Sequence, residues 1–86
     1  MKDYKEYYES GQLKEEILYA NGLITGVKKE YFENGKLKRE EPYLDWVLNG
    51  EVKEFYESGK LKRKVTYIQG DSGVTVSFDE NGKEIK

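Results

Sequence analysis

The chain has 86 residues, of which 36% are hydrophobic and 37% charged, and its 15 basic and 17 acidic side chains give a net charge of −2. It contains no cysteine and no histidine, which excludes disulfides, thiolate and imidazole metal sites and the common nucleophile–base pairs. Charges of both signs are interspersed, so no field that would attract nucleic acid is indicated. We expect one small domain with a thin core, no cofactor and no enzymatic activity.

The chain start lacks the apolar segment of a signal peptide, and no apolar run approaches the ~18 residues of a membrane span. A cytoplasmic protein is therefore expected.

A short motif recurs about every 24 residues. It places an aromatic residue, an acid and Ser or Asn before a glycine, and Leu-Lys follows. The copies are Tyr8 to Lys14, Phe32 to Lys38 and Tyr56 to Lys62, with a degraded copy from Asp79 to Ile85. A fixed period of this size is typical of repeat proteins. The single domain, 1–86, is accordingly divided into units at approximately 4–26, 27–50, 51–73 and a partial 74–86.

Each unit is predicted to contain two strands and two tight turns. In chain order, the strands are expected at 4–8, 12–19, 27–32, 36–43, 51–56, 60–68 and 74–78, with a stub at 83–85. Asn-Gly and Ser-Gly supply the positive φ of hairpin turns, as do Asn21-Gly22 and Gln69-Gly70 at the other end of each unit. Links this short cannot cross over to make parallel pairs. The prediction is an all-β antiparallel hairpin meander of about seven to eight strands.

Strand alternation places Leu13, Glu15 and Ile17 on one face, and the later copies follow the same pattern. In the middle copy Glu41 replaces the aliphatic residue, and Pro42 indicates an edge, a bulge or a local break. Glu15-Glu16 and Glu40-Glu41 are expected to pair across strands with the basic segments 36–39 and 60–64.

The competing interpretation is a helical first repeat, because Leu13, Ile17 and Ala20 have helical spacing. Glycines about every 12 residues would limit any helix to about two turns, which is marginal in water. The β-branched residues at 65–68 and 74–76 also favour strands.

The repeated unit resembles the MORN repeat variant of bacterial proteins known as YwqK-family antitoxin components. The resemblance extends from Tyr4 to about Lys83. The chain departs from the family pattern at Glu41-Pro42, at Asp45-Trp46 where Asn-Gly is usual, and at Asp79 and Glu84. The resemblance implies hairpins in a single elongated, twisted sheet and a role as an interaction or membrane-associated scaffold. An antitoxin role is implied only by the family label.

The candidate protein interface is the apolar stretch Leu44, Trp46, Val47 and Leu48, which stands where other copies have a polar turn. Tryptophan in an apolar setting is a common interface anchor. The alternative is a loop that folds back over the thin core.

The aromatic positions form two ladders, in which one ring set is expected to fill the core and the other to support the hairpins or form an exposed stripe.

Basic residues at 60–64 beside aromatics resemble a nucleic-acid platform locally, but the acids among them argue against it. No pair of acids is placed by a pocket-forming motif, so a carboxylate hydrolase is the weakest hypothesis.

The expected partner is another protein, with a toxin among the candidates, or a second copy through the edge strands. The alternative is a peripheral membrane or lipid-associated scaffold.

Overall fold

The computed structural model describes residues 4–18 and 26–85, which form one open antiparallel β-sheet. Its strands are β1 (Tyr4–Tyr7), β2 (Leu13–Ile17), β3 (Gly26–Tyr31), β4 (Leu37–Leu44), β5 (Val47–Leu48), β6 (Gly50–Phe55), β7 (Leu61–Ile68), β8 (Asp71–Phe78) and β9 (Glu84–Ile85). Strands follow one another across the sheet in chain order, and β5 pairs with β4. The predicted all-β meander is confirmed.

The helical interpretation of the first repeat is wrong for Leu13 to Ile17, which form β2. Ala20, Tyr19 and the predicted Asn21-Gly22 turn lie outside the described residues. The described part of the chain includes no helix, and hence none long and apolar enough to cross a membrane.

Four hairpins close in the same way at one end of the sheet, which we call the glycine-loop end. In the loop that follows β1, the Gly11 N–H donates to the Tyr8 carbonyl at 2.9 Å, and the Tyr8 N–H donates to the Gln12 carbonyl at 2.8 Å. The same two bonds recur in the other three loops. The glycine of each loop has a φ between 86° and 97°. This is a type I turn followed by a left-handed glycine, so the repeated motif of the sequence is a hairpin loop with its flanking strands.

The opposite end of the sheet, which we call the two-turn end, has two-residue turns. Asp45 and Trp46 have φ values of 50° and 70°, and Gln69 and Gly70 have values of 49° and 88°. Positive φ at both central residues defines the type I′ hairpin turn, whose twist matches that of the flanking strands. The predicted Gln69-Gly70 turn is confirmed, whereas β5 and the first residues of β8 were not predicted.

Pro42 lies inside the sheet, in β4, and not on an edge strand. The pairing of β4 moves from Glu40 with Lys53 on β6 to Tyr43 with Leu48 on β5. Between these pairs, the Asn49 N–H donates to the Pro42 carbonyl at 3.0 Å. Pro42 indicated an edge, a bulge or a local break. The structure has a local break in the ladder at this position.

The core is thin, because the molecule measures 41 × 36 × 12 Å and is one layer deep. Among the described residues, the buried ones are Val52, which is 3% exposed, and Glu41, which is 8% exposed. No large side chain there is fully buried. The expectation that one of the two aromatic ladders fills a core is therefore wrong. Most side chains of the sheet are half-buried by their neighbours in the same face.

Candidate protein-binding surface

Three of the four predicted interface residues lie exposed at the two-turn end. Leu44 is 48% exposed, Trp46 58% and Val47 39%, while Leu48 is half-buried in β5. Leu44 and Val47 are paired and flank the turn, and Asp45 and Trp46 form its tip. The stretch is therefore a hairpin tip that presents its tryptophan at the end of the sheet, rather than a loop folded over the sheet faces.

A fourth exposed apolar residue, Ile68, joins this surface from the neighbouring turn and is 68% exposed. Pairing of Glu40 with Lys53, and of Lys53 with Lys64, places these three residues on one face of the sheet. Strand alternation then puts Leu44 and Ile68 on that same face. We call Leu44, Trp46, Val47 and Ile68 the turn patch. Sequence reasoning missed Ile68, although it lies at the repeat position equivalent to Leu44 and the period could have found it.

The two turns are held side by side by backbone contacts. The Gly70 N–H donates to the Leu48 carbonyl at 2.8 Å, and the Gln69 N–H donates to Asn49 Oδ1 at 3.1 Å. A Cβ at Gly70 would lie 3.2 Å from Val47 Cγ1, which is a tight contact, and the φ of 88° at this position also favours glycine. These contacts fix the distance between Ile68 and the first turn.

Trp46 occupies the position that Gly70 holds in the next turn, with a similar φ. Type I′ turns favour Asn-Gly or Asp-Gly, because residues with a Cβ pay about 1–2 kcal/mol in the left-handed region. A tryptophan in this position is locally unfavourable for the turn. Such an outlier is a reason to look for a function that requires the side chain.

An open cavity of about 290 Å³ lies beside the turn patch. It is lined by Leu44, Asp45, Val47, Asn49 and Gln69. The two aliphatic side chains and the polar groups of the turns thus form one concave surface, which could receive a side chain of a binding partner.

Glu15, Glu41 and Glu54, three half-buried or buried acids of the sheet, are engaged in ion pairs. Lys28 Nζ lies 3.2 Å from Glu15 Oε1 and 3.9 Å from Glu41 Oε1. The Tyr43 hydroxyl donates to Glu41 Oε1 at 3.2 Å. Burial opposes the charge of Lys28, but the hydrogen bond and charge of Glu15, with the charge of Glu41, raise its pKa above the usual value. Burial, and then the charge and hydrogen bond of Glu41, also raise the pKa of Tyr43.

Arg39 links the buried Glu41 to the next strand. Its Nε donates to Glu41 Oε2 at 2.7 Å, and its Nη1 donates to Glu54 Oε2 at 2.8 Å. Arg63 forms a further ion pair with Glu54. Burial works against the charged form of Arg39, but Glu41 and Glu54 outweigh it and raise the pKa of the guanidinium. A chain of alternating charges therefore crosses the sheet from β2 to β7.

The predicted cross-strand charge pairing is present with different partners. Glu15 pairs with Lys28 and not with the segment 36–39, and Arg63 pairs with Glu54 and not with Glu40-Glu41. The register decides these partners, since each acid meets the strand directly beside it. No group of three or more potential metal ligands is present in residues 4–18 and 26–85.

One aromatic ladder supports the glycine-loop hairpins. The Nζ atoms of Lys14, Lys38 and Lys62 lie 5.6–5.8 Å from the ring centroids of Tyr8, Phe32 and Tyr56 respectively. The hydroxyls of Tyr8 and Tyr56 donate to the carbonyls of Tyr31 and Phe78, at 2.7 and 2.8 Å. These rings and lysines are thus engaged with each other within the repeats. The local resemblance of the segment 60–64 to a nucleic-acid platform is accounted for by this packing and by the ion pairs of Arg63 and Lys64 with Glu54 and Glu51.

The fold and its repeated loops define a class: an open sheet built from β-hairpin repeats without a catalytic centre recognisable in the described residues. The sequence model of the MORN repeat variant matches residues 2–21, 24–45 and 48–69. These matches cover more than half of the chain, which therefore belongs to the MORN repeat variant family. MORN repeats are non-enzymatic modules that generally mediate interactions with proteins or membranes. No curated protein and no solved structure matched the chain.

Proposed function

We propose that the chain is a non-enzymatic protein-interaction module and that the turn patch is its binding surface. The observation that carries the proposal is Trp46, which is 58% exposed at a turn position where the next repeat has glycine. A tryptophan that does not favour its own turn and has more than half of its surface exposed offers a partner a large apolar contact area. Buried tryptophans are among the strongest contributors to protein interfaces.

The neighbours of Trp46 suit the same role. Leu44, Val47 and Ile68 are exposed around it, and the backbone bonds between the two turns hold them in place. A patch on rigid hairpin tips needs little ordering when a partner binds, which reduces the entropic cost of association. Tryptophan is enriched among the residues that dominate binding energy, and the smaller residues around such an anchor exclude water from it.

A protein partner is favoured over a lipid surface by the charge of the two-turn end. Asp45 and Asp71 are exposed there, and the sequence has no Lys or Arg from Glu41 to Val52 or from Val65 to Gly82. Binding to anionic lipid needs a cluster of basic residues. Sedimentation with anionic vesicles separates the two functions, since salt-sensitive co-sedimentation would favour the peripheral membrane scaffold and contradict this proposal.

We further propose that the partner is a toxin and that the two proteins meet in the cytoplasm. The resemblance to antitoxin components supports the toxin as partner. The test is co-expression with the product of the neighbouring gene. Relief of growth inhibition by the wild-type chain, and loss of relief with Trp46→Gly at equal protein level, are the expected results. Equal relief by both chains would contradict the role of the turn patch, and absence of any toxic neighbour would contradict the toxin identity.

The matched control for Trp46→Gly is Ile85→Ala. Ile85 is 54% exposed in β9, at the glycine-loop end, and is not part of the turn patch. Removal of this side chain also reduces exposed apolar area, but it should leave partner binding unchanged. Circular dichroism and thermal unfolding of both variants distinguish lost binding from lost folding.

Self-association through sheet edges is a second candidate, and β8 favours it. This strand is paired with β9 only at Ser77 and Phe78, and Val74 in its remaining part is 71% exposed. Unpaired edge strands with few charges are templates for a second chain. Val74→Lys should abolish a concentration-dependent rise in sedimentation coefficient. A monomer at all concentrations, in wild type as well, would contradict this candidate.

A further inference from the structure

The chemical character of the turn patch narrows the class of partner. Its exposed apolar residues lie next to two aspartates, Asp45 in the first turn and Asp71 directly after the second. The basic residues nearest to this end are Lys53 and Lys64 in β6 and β7, which are paired, and Lys28 in β3, which pairs with Glu41; all three lie further along the strands toward the glycine-loop end. The two-turn end therefore combines an apolar surface with exposed acidic residues, and the sequence segments 41–52 and 65–82 that include its two turns contain no basic residue.

We propose that the turn patch binds an extended protein segment that combines Lys or Arg with large apolar side chains. This inference rests on the proposed function and specifies its partner. Opposite charge on the partner would steer the encounter and fix the register of the complex. A second copy docked through the same patch would instead place aspartates against aspartates, which opposes self-association at this surface.

The cavity beside the first turn fits the side chain of such a partner. Leu44 and Val47 provide an aliphatic wall, while Asp45 provides a carboxylate at the rim. A Lys or Arg side chain can lay its aliphatic stem along such a wall and keep its charged end beside the carboxylate. An apolar side chain next to it in the partner would then contact Trp46, and an arginine could also stack on the indole ring.

The test is a selection of displayed random linear peptides on the immobilised wild-type chain, with Trp46→Gly as the parallel target. Enrichment of peptides that contain Lys or Arg beside Leu, Phe or Trp, absent on Trp46→Gly, is the expected result. Enrichment of apolar peptides without basic residues, also absent on Trp46→Gly, would overturn this inference and leave the proposed function standing. Equal enrichment on both targets, or none on either, would overturn both.

A selected peptide then gives the contribution of each charge, measured by fluorescence anisotropy of the labelled peptide at low and high salt. Asp45→Asn and Asp71→Asn should each weaken binding roughly two- to fivefold at low salt, and the difference should shrink at high salt. Asparagine is also favoured at the first central position of a type I′ turn, so Asp45→Asn keeps the turn. The control is Glu80→Gln, which removes an exposed acid at the glycine-loop end and should not change the affinity. Identical affinities for the aspartate variants and the wild type would contradict the charge assignment.

Discussion

Substitution of Glu41 by glutamine tests whether the buried carboxylate holds the centre of the sheet together. Glu41 is 8% exposed, and its oxygens contact Arg39 Nε at 2.7 Å, the Tyr43 hydroxyl at 3.2 Å and Lys28 Nζ at 3.9 Å. Glutamine keeps the volume and one oxygen acceptor but removes the charge. Lys28 and Arg39 retain Glu15 and Glu54, so neither cation is left without a carboxylate.

The magnitude follows from the contacts that the charge supports. A hydrogen bond to a charged group contributes about 1.5–3 kcal/mol, and the longer contact to Lys28 adds less than about 1 kcal/mol. We therefore expect Glu41→Gln to lower the free energy of unfolding by about 2 kcal/mol. For a domain of this size, that corresponds to a fall in Tm of roughly 8–16 °C.

The assay is thermal unfolding followed by circular dichroism, with Glu51→Gln as the matched control. Glu51 also contacts two lysines, Lys53 at 3.9 Å and Lys64 at 3.5 Å, but its side chain is 45% exposed. Exposed pairs of this kind contribute about 0–1 kcal/mol. An equal change in Tm for Glu41→Gln and Glu51→Gln would refute the reasoning that burial makes the Glu41 pairs important.

Three further predictions concern single positions. Burial and the hydrogen-bonded carboxylate of Glu16 raise the pKa of Tyr31 to about 12, so its contribution to stability is complete below the unfolded value of 10.0 and is lost as the pH rises through about 12. The phenolate absorbance of wild type minus Tyr31→Phe should show this late midpoint, and a midpoint near 10 would contradict it. Gly26→Ala should destabilise the sheet by about 1–3 kcal/mol, because the new Cβ would lie 2.6 Å from the Leu18 carbonyl oxygen. The measurement is denaturant unfolding, and unchanged stability would show that the neighbouring backbone yields without cost. Trp46→Gly should change the free energy of unfolding by no more than about 1 kcal/mol, because relief of the left-handed backbone offsets the lost contacts of the ring; a larger loss in urea unfolding would indicate a structural role.

The glycine loops were predictable because their determinants are local. An aromatic residue, a short polar segment and a glycine at fixed spacing specify a turn with positive φ, as Gly11 and its repeats show. Alternation of side chains and the shortness of the links then leave an antiparallel meander as the only simple arrangement. The order of the strands follows from these rules without knowledge of any long-range contact.

The turn at Asp45-Trp46 could not be predicted in the same way. Tryptophan is a poor residue for a left-handed position, so local rules argue against a tight turn there. In the structure, Leu44 pairs with Val47 across this turn, and the neighbouring turn donates the Gly70 N–H to the Leu48 carbonyl. Such contacts depend on the register of the whole sheet, which single-residue preferences do not contain.

The burial of Glu41 is a second feature beyond the reach of the sequence pattern. The repeat marks its position as aliphatic, and the substitution by an acid indicates only a departure from the repeat. Its partners Arg39 and Lys28 come from its own strand and from β3, and the pairing register brings them to the carboxylate. For the same reason, Glu15 pairs with Lys28 and not with a predicted segment, and Glu41 contacts the predicted segment 36–39 through Arg39 but within its own strand.

The central claim is that the turn patch binds a partner protein through Trp46. The most direct measurement is the affinity of wild type, Trp46→Gly and Ile85→Ala for the same purified partner, obtained by titration calorimetry with folded variants. Loss of a dominant interface residue costs at least about 2 kcal/mol, so Trp46→Gly should bind at least roughly 30-fold more weakly while Ile85→Ala binds as the wild type does. Equal affinity of Trp46→Gly and wild type would contradict the claim.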